Sequence, residues 1–354
     1  MRILFLFFML LPIAIFSQKN ESDYSLTNPT FLDSTISNYN IVFSSEIHWS
    51  KQNLKRRENL ISYLANKNSL NKIVLEIGFI YGFWINKYME TGDTIFFKEF
   101  TDAYGFMNSA GDDTNYTNTY NYYVKLRHLL KGKQVEFVGI DLEFAHTHPK
   151  STLWSFIQLT KHYPQLKIYA ESTKKASMLL LQNKVKGNDL KKWFLRLKKE
   201  LKKEKISNDV FSRFIKNIDE SIDFPVLRGF IYREKIMYQN FLDMIDKSDK
   251  VYGQFGLSHI MLNNRKEMTK NRLATYLNQN QLFKDKILSI GLVCYDCQSA
   301  DLPIETYYEP FLIKDEFERL TPKFKKLPSN TFVDLRKTDE KIKEFVQLLL
   351  IVHE

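Results

Sequence analysis

Four apolar segments of the chain each stop at an acidic residue or a histidine, and this pattern limits the possible folds more than any other feature. The segments end at Glu46 and His48, at Glu76, at Asp141 and at His259. A short continuous apolar run is typical of a strand that is buried on both faces. A helix-like segment separates the first two runs, which predicts a parallel βαβ unit. The chain is therefore predicted to adopt an α/β fold with a mainly parallel sheet flanked by helices.

The ionisable residues at these positions are expected to share one crevice, because the carboxyl ends of parallel strands meet at one edge of the sheet, where ligands bind. The acids are Glu46, Glu76 and Asp141, and the histidines are His48 and His259. Carboxylates at close range are tolerated only beside a cation, beside an arginine or with a shared proton. This edge is the predicted functional site.

Hydrophobic patterning predicts strands over residues 40–45, 71–77, 134–140, 251–255 and 286–293. The segment of about 150–225 reads as helical and interrupts the alternation of strands and helices. The final residues, 339–352, are predicted to form a helix. With 354 residues and 44% hydrophobic composition, the chain can bury a large core. We expect a single α/β domain over 18–354, with a helical insertion near 150–225.

The amino terminus has the features of a secretory signal peptide. Arg2 supplies a positive charge, residues 3–16 are almost entirely apolar, and Ser17 provides a small residue at the exit. An apolar run of this length is shorter than the roughly 20 residues of a membrane-spanning helix. We therefore predict a signal peptide over 1–17 and export to the periplasm or the medium; an uncleaved anchor is the alternative.

The two cysteines, Cys294 and Cys297, are three positions apart. Such a pair can form a redox motif, half of a zinc site or a small disulfide loop. An oxidising compartment favours a structural disulfide.

A strongly basic stretch covers residues 174–205, with 12 Lys or Arg against 3 Asp or Glu. Trp193, Leu197 and Leu201 recur at helical spacing, which predicts an amphipathic helix with a cationic outer face. A cationic helix face of this kind usually contacts only solvent. The alternatives are contact with an anionic membrane surface or with an acidic polysaccharide. No nucleic-acid-binding motif is present, so no nucleic-acid partner is expected.

The predicted site supports two chemistries. A histidine oriented by a carboxylate can act as a general base at neutral pH. Alternatively, His48, His259, Glu46 and Glu76 form a mixed nitrogen and oxygen ligand set for a divalent metal. A serine nucleophile is disfavoured because the chain lacks a Gly-x-Ser-x-Gly elbow.

A second histidine patch follows Asp141. His146 and His148 lie in a predicted loop after the third strand. They are interpreted as surface residues or as an accessory metal site.

Taken in order, five motifs resemble the erythromycin esterase-like superfamily, which also includes ChaN-like haem-binding proteins and TIKI/TraB-type proteins. The motifs are Ser45-Glu46-Ile47-His48, Val74-Leu75-Glu76, Gly139-Ile140-Asp141, Arg233 to Asn240, and Gly256-Leu257-Ser258-His259. The resemblance covers residues 40 to 259. It implies an α/β sheet flanked by helices, with the helical insertion lying over the cleft.

The resemblance also implies roles for individual residues. In the esterases the histidine of the first motif is the base that activates water for attack on an ester or lactone, and His48 matches it. Catalysis is therefore assigned to His48, Glu46, Glu76 and His259. Substrate binding is assigned to Arg57, Arg233 and Asp141, with Arg56 as the alternative to Arg57. A small molecule or a peptide is the expected substrate.

Two departures from the esterase pattern leave alternatives open. Ser45 stands where the family usually has glycine, and one residue instead of two separates Glu46 from His48. The shorter spacing is closer to the ChaN-like and TIKI-type branch, which is associated with metal or haem. The alternatives to a hydrolase are thus a metal- or haem-binding envelope protein and a non-catalytic binding module.

Overall fold

In a computed structural model, most of the chain from residue 32 onward can be described. The described ranges are 32–47, 53–67, 69–104, 113–143, 145, 148–182, 185–202, 208–222, 229–264, 271–298, 303–307 and 314–353. His48, His146 and the predicted signal peptide at 1–17 lie outside these ranges.

Within the described residues, eight strands form one sheet. They are β1 (Ile41–Glu46), β2 (Lys72–Gly78), β3 (Glu136–Asp141), β4 (Val251–Gly256), β5 (Ile287–Gln298), β6 (Pro303–Tyr307), β7 (Thr331–Asp334) and β8 (Leu348–His353). The order across the sheet is β3-β2-β4-β1-β5-β8-β7, and β6 pairs with β5. The six strands from β3 to β8 in this order are parallel, whereas β6 and β7 are antiparallel additions. The predicted α/β fold with a mainly parallel sheet is confirmed.

Helices cover both faces of this sheet. They are α1 (Asp33–Ile36), α2 (Asn53–Lys67), α3 (Phe79–Thr91), α4 (Thr94–Ala103), α5 (Asp113–Leu129), α6 (Pro149–His162), α7 (Ala170–Leu180), α8 (Gly187–Leu201), α9 (Asp209–Ser221), α10 (Gly229–Met244), α11 (Leu257–Ile260), α12 (Leu273–Gln279) and α13 (Lys314–Phe324). Short 3-10 helices cover Pro164–Tyr169, Leu335–Lys337 and Lys341–Glu344.

Side chains alternate between two apolar cores, one on each face of the sheet. In β1, Val42 packs into the core that includes residues of α3, α4 and α6, whereas Phe43 packs into the core beneath α10 and α12. In β2, Leu75 packs into the same core as Val42, and Val74 packs into the same core as Phe43. Burial on both faces explains why these strands read as continuous apolar runs instead of alternating ones.

A close approach of β2 and β3 requires glycine. The pairing of these strands shifts register between Leu75 and Gly78. A Cβ atom added at Gly139 would lie 2.0 Å from the carbonyl oxygen of Gly78. The glycines thus let the two strand ends that carry Glu76 and Asp141 come together.

The predicted helix over 339–352 is wrong. Residues 341–344 form a single 3-10 turn, and 348–353 form β8, which pairs with β5 and β7. The run Leu348 to Val352 is almost fully buried. A short apolar run can be either a buried helix or a buried strand, and here the free edge of β5 selected the strand.

The region between β3 and α10 contains α6, α7, α8 and α9. None of the helices in the described ranges has the length and apolarity needed to cross a bilayer. Cys294, on β5, is disulfide-bonded, and Cys297 is the only other cysteine in the chain.

Candidate active site at the carboxyl ends of the central strands

Four adjacent strands carry the predicted site residues to one edge of the sheet. Glu46 and Asp141 are the last residues of β1 and β3, and Glu76 lies two residues before the end of β2. His259 lies in α11, which follows β4 directly. Because β3, β2, β4 and β1 are neighbours and parallel, all four side chains lie at the same edge.

Arg233, on α10, joins two of the strand-end carboxylates. Its Nη2 donates to Oε1 of Glu76 at 2.5 Å and also to Asp141, and its Nε lies 3.0 Å from both oxygens of Asp141. Burial raises the pKa of Asp141, and the guanidinium opposes that rise. Asp141 is fully buried. The arginine therefore supplies the positive charge that lets two carboxylates lie close together.

His259 lies between two carboxylates. Its Nε2 is 3.4 Å from Oε1 of Glu76, and its Nδ1 is 2.8 Å from Oε1 of Glu234. Burial alone would lower the pKa of His259, but the negative charges of Glu76 and Glu234 outweigh it and raise the pKa to about 10. The imidazole is therefore protonated at neutral pH and can donate a proton or a charged hydrogen bond.

The same contacts hold the acids ionised. Burial would raise the pKa of Glu76, but His259 and Arg233 keep it well below the usual range. For Glu234, burial is likewise outweighed by His259 and Arg272, so its pKa is lowered.

Glu234 is a site residue that the sequence analysis missed. Its Oε1 accepts from Nη1 of Arg272 at 3.1 Å, and its Oε2 accepts from the backbone N–H of Leu273 at 2.9 Å. Leu273 is the first residue of α12, so the carboxylate also lies at a helix amino terminus. Glu234 is almost completely buried. A rigid acid is thus placed behind the imidazole of His259.

A second group surrounds Arg57, on α2. The Nε of Arg57 donates to Oε1 of Gln254 at 2.9 Å, and its Nη2 lies 3.3 Å from Oε2 of Glu46. The guanidinium also lies 5.9 Å from the ring centre of Tyr122. Arg56, the alternative candidate, is buried and contacts Asn53 at 3.5 Å instead. The structure therefore brings Arg57, and not Arg56, to Glu46.

Strand β4 lies between the two groups. Gln254 pairs in register with Leu75 of β2 on one side and with Ser44 of β1 on the other. The strand continues through Gly256 into α11, which carries His259. Gln254 was not predicted as a site residue because it lies inside an apolar strand, yet it links the Arg57 group to the strand that leads to His259.

Ser45 has a structural role at the end of β1. Its Oγ accepts a hydrogen bond from the backbone N–H of Leu292 at 2.5 Å. Regular pairing of β1 with β5 ends one residue earlier, at Ser44 and Ile290. The Ser45 hydroxyl therefore extends the connection between the two strands up to the edge where Glu46 begins the site.

Glu143 is a second buried acid that the sequence analysis did not single out. It follows β3, and its Oε1 accepts from the backbone N–H of Ile80 at 3.0 Å, in the first turn of α3. Burial raises the pKa of Glu143 to about 8, against the opposing effects of the Ile80 N–H and the Asn217 side chain. Glu143 is therefore largely protonated at neutral pH.

In the described part of the predicted metal ligand set, both acids contact positively charged side chains. Glu76 already faces the positive charges of Arg233 and His259. Among the residues that the structure describes, no group of three or more His, Cys, Asp or Glu side chains could hold a metal ion. His48, the remaining predicted ligand, lies outside them.

The second histidine patch is only partly described. His148 lies at the start of α6, where its carbonyl oxygen accepts from the Ser151 hydroxyl at 2.7 Å. No role in the site follows from that contact.

Comparison with known proteins identifies solved structures that share the fold. No protein-family model matches the chain, and no curated protein matches it either. Three solved structures are similar over more than nine-tenths of each chain. The first is a Bacillus cereus protein with 14% identity and a TM-score of 0.58, and the match covers 93% of this chain and 92% of that chain. The second is a mutant of the erythromycin esterase EreC in its open conformation, with 14% identity, a TM-score of 0.56 and coverage of 91% of this chain and 92% of that chain. The third is a succinoglycan biosynthesis protein with 13% identity, a TM-score of 0.57 and coverage of 95% of this chain and 93% of that chain.

These similarities concern the arrangement of the backbone, because the identities are low. The chain has the α/β fold of erythromycin esterase-like proteins. The fold implied by the sequence motifs is thereby confirmed.

Proposed function

We propose that the chain is a hydrolase that activates water for attack on an ester, a lactone or an amide. The observation that carries the proposal is the position of His259 between Glu76 and Glu234, with Arg233 linking Glu76 to Asp141. The erythromycin esterase-like fold supports the same reading. Fold alone does not determine function, so the assignment depends on the residues of the site.

His48 is the proposed general base. It follows Glu46, the last residue of β1, by two positions. In the first step, water attacks the substrate carbonyl carbon, and the proton of the water passes to His48. Glu46 and Glu76 are the carboxylates assigned to orient this reaction. The product of the step is a tetrahedral intermediate with a negatively charged oxygen.

His259 is assigned the complementary role of acid. Because it is protonated at neutral pH, it can stabilise the negative oxygen and then donate its proton to the leaving alkoxide or amine as the carbon–oxygen or carbon–nitrogen bond breaks. Glu234 positions the ring from behind. The residues assigned to bind a carboxylate or carbonyl oxygen of the substrate are Arg57 and Arg233. Arg57 is positioned by its contacts with Gln254 and Glu46.

The metal- or haem-binding alternative would require His259 as a ligand with a free nitrogen lone pair. Both ring nitrogens of His259 instead face carboxylates. A carboxylate behind one ring nitrogen suits a metal-bound histidine as well as an acid, so the assay with and without a divalent metal distinguishes the two roles.

A panel of ester, lactone and amide substrates, measured with and without a divalent metal, tests the proposal. His48→Ala and Glu76→Gln should each reduce hydrolysis by about 100-fold or more. His162→Ala, which changes an exposed histidine at the end of α6, should leave it unchanged. Equal rates for the His48→Ala protein and the unmodified protein would refute the assignment. No turnover on the whole panel would favour a binding module.

We also propose that residues 1–17 direct export. The support is the order of a positive charge, an apolar run and a small residue in this segment. Leu10→Arg and Leu11→Arg together should retain the chain inside the cell, as measured by fractionation. Export of this variant at the normal level would contradict the proposal.

A further inference from the structure

The outer surface of α7 and α8 combines exposed aliphatic side chains with lysines. The described part of the chain exposes seven large apolar side chains, and four of them lie in or beside these two helices. They are Ile168, Met178, Leu181 and Leu195, which are 51%, 53%, 86% and 52% exposed. Isolated exposed apolar residues are normal, but a group on one element indicates an interaction surface.

On α7 the exposed stripe lies opposite the buried side. Ser172, Ala176 and Leu179 are buried. The exposed residues are Lys174, Met178 and Leu181, which are four and three positions apart. This spacing places Lys174 and Met178 on the other side of the helix, and Leu181 lies directly after its carboxyl end.

On α8 the same arrangement recurs. Leu190, Trp193, Phe194 and Leu197 are buried. Lys192, Leu195 and Lys199 are spaced three and four residues apart on the exposed side.

The two helices lie side by side, so the stripes form one surface. The indole Nε1 of Trp193 donates to the carbonyl oxygen of Ser172 at 3.0 Å, and the Ser172 hydroxyl donates to Glu200 at 2.8 Å. Both helices also contact α6 on their inner side. We call the residues Lys174, Met178, Leu181, Lys192, Leu195 and Lys199 the α7–α8 surface.

The lysines of this surface are not neutralised by neighbouring acids. In the ranges that the structure describes, Lys174, Lys192 and Lys199 form no ion pair with a carboxylate. By contrast, Lys198 pairs with Asp219. The charges of the α7–α8 surface are therefore available to an external anion.

We propose that the α7–α8 surface binds an anionic lipid bilayer, with its lysines at the headgroups and its aliphatic side chains inserted among the acyl chains. Positive charge beside exposed aliphatic side chains on a helix is the combination that gives interfacial membrane binding. Acidic polysaccharides and nucleic acids would use the lysines but would leave Met178, Leu181 and Leu195 without a function, because those ligands stack on aromatic rings. The aliphatic side chains therefore select the lipid surface.

The test is sedimentation of the full-length protein with vesicles of phosphatidylcholine alone and with vesicles that also contain phosphatidylglycerol. Because the apolar residues 3–16 could attach the chain to any bilayer, the readout is the ratio of binding to anionic and neutral vesicles. We expect clear preference for anionic vesicles, declining with salt. Replacing Lys174, Lys192 and Lys199 by glutamine should lower the ratio by roughly fivefold for each lysine.

A second variant tests the aliphatic contribution. Met178→Ser, Leu181→Ser and Leu195→Ser together should reduce binding to anionic vesicles by about tenfold or more. The matched control is Ile95→Ser with Leu282→Ser, which removes exposed apolar residues elsewhere and should have no effect. Equal binding to both vesicle types, or unchanged binding by both α7–α8 variants, would overturn the proposal. Binding to a soluble acidic polysaccharide that depends on the lysines but not on the aliphatic residues would overturn it as well.

Discussion

The carboxylate of Glu234 lies 2.8 Å from Nδ1 of His259, and Glu76 lies 3.4 Å from the other ring nitrogen. Replacing Glu234 by glutamine removes one of the two charges that raise the pKa of His259. We expect that pKa to fall from about 10 toward the unperturbed value near ~6.5. Titration of the imidazole nitrogens by ¹⁵N NMR measures the change directly.

The control for this variant is Glu136→Gln, which alters an exposed acid paired with Lys72. It should leave the pKa of His259 where it is. A pKa that stays near 10 in Glu234→Gln would mean that Glu234 does not act on the ring. This readout is independent of hydrolysis, so it also distinguishes a positioning role from a merely structural one.

The raised pKa of Glu143 predicts that the free energy of unfolding depends on pH. Its pKa is raised from 4.5 to about 8, so the stability it contributes is fully present below pH 4.5 and is lost as the pH rises through 8. Within this window the contribution should fall by about 1.4 kcal/mol per pH unit. Glu143→Gln, which stays neutral, should therefore gain stability relative to the unmodified protein between pH 5 and 8, as measured by urea unfolding.

Glu143→Gln is compared with the unmodified protein at each pH because the titration of His259 changes the stability of both proteins at higher pH. Its raised pKa makes its own contribution disappear between about 6.5 and 10. A constant difference between Glu143→Gln and the unmodified protein from pH 5 to 8 would contradict the assignment to Glu143.

Arg233→Met should destabilise the fold strongly, because it leaves Glu76 and Asp141 facing each other without their cation. The expected loss is about 3–5 kcal/mol in the free energy of unfolding. Adding Asp141→Asn should recover part of this loss, since Asp141 is the carboxylate left without a positive charge, whereas Glu76 still faces His259. Chemical denaturation of the single and double variants measures both effects.

The matched control is Arg319→Met, which removes an exposed arginine paired with Glu340. Its cost should be below about 1 kcal/mol. Similar losses for the two arginine variants would show that the buried cluster does not depend on Arg233.

Gly139→Ala should be costly because its Cβ atom would meet the carbonyl oxygen of Gly78 at 2.0 Å. Backbone atoms cannot move aside as a flexible side chain does, so we expect a loss of about 3 kcal/mol. Gly132→Ala separates this effect from backbone strain. Gly132 has a φ of +78° but open space around it, so alanine there should cost about 1–2 kcal/mol. Thermal or urea unfolding that ranks Gly132→Ala as the costlier change would refute the close-approach argument.

The strand-end residues could be predicted because two simple signals coincide. A short apolar run marks a buried strand, and an ionisable residue at its end marks the sheet edge. Glu76, Asp141 and His259 were found in this way, and the structure places all three in contact with Arg233 or with one another. Whether they act on a substrate remains a prediction.

Glu234 carried a weaker signal. It lies on the apolar side of α10, three residues before Met237 and seven before Phe241, both of which are buried. A carboxylate on the apolar side of a helix needs a charged partner, and that requirement could have drawn attention to it. Arg272 could not have been found by pattern alone, because its role depends on the tertiary placement of α12 beside α10.

The final helix was predicted wrongly for a related reason. Nothing local distinguishes a buried helix from a buried strand over residues 348–353, and the choice was made by pairing with β5, about 60 residues away. Contacts between distant segments cannot be read from local periodicity.

The position of β8 has a consequence for the order of folding. Every other described strand precedes β8 in the chain, yet it lies inside the sheet, between β5 and β7. During synthesis, the half-sheet of β3, β2, β4 and β1 can assemble while one side of β5 still presents unpaired backbone groups. An open strand edge of this kind readily pairs with another chain. We therefore expect the nascent protein to be vulnerable to aggregation until residues 348–353 join the sheet.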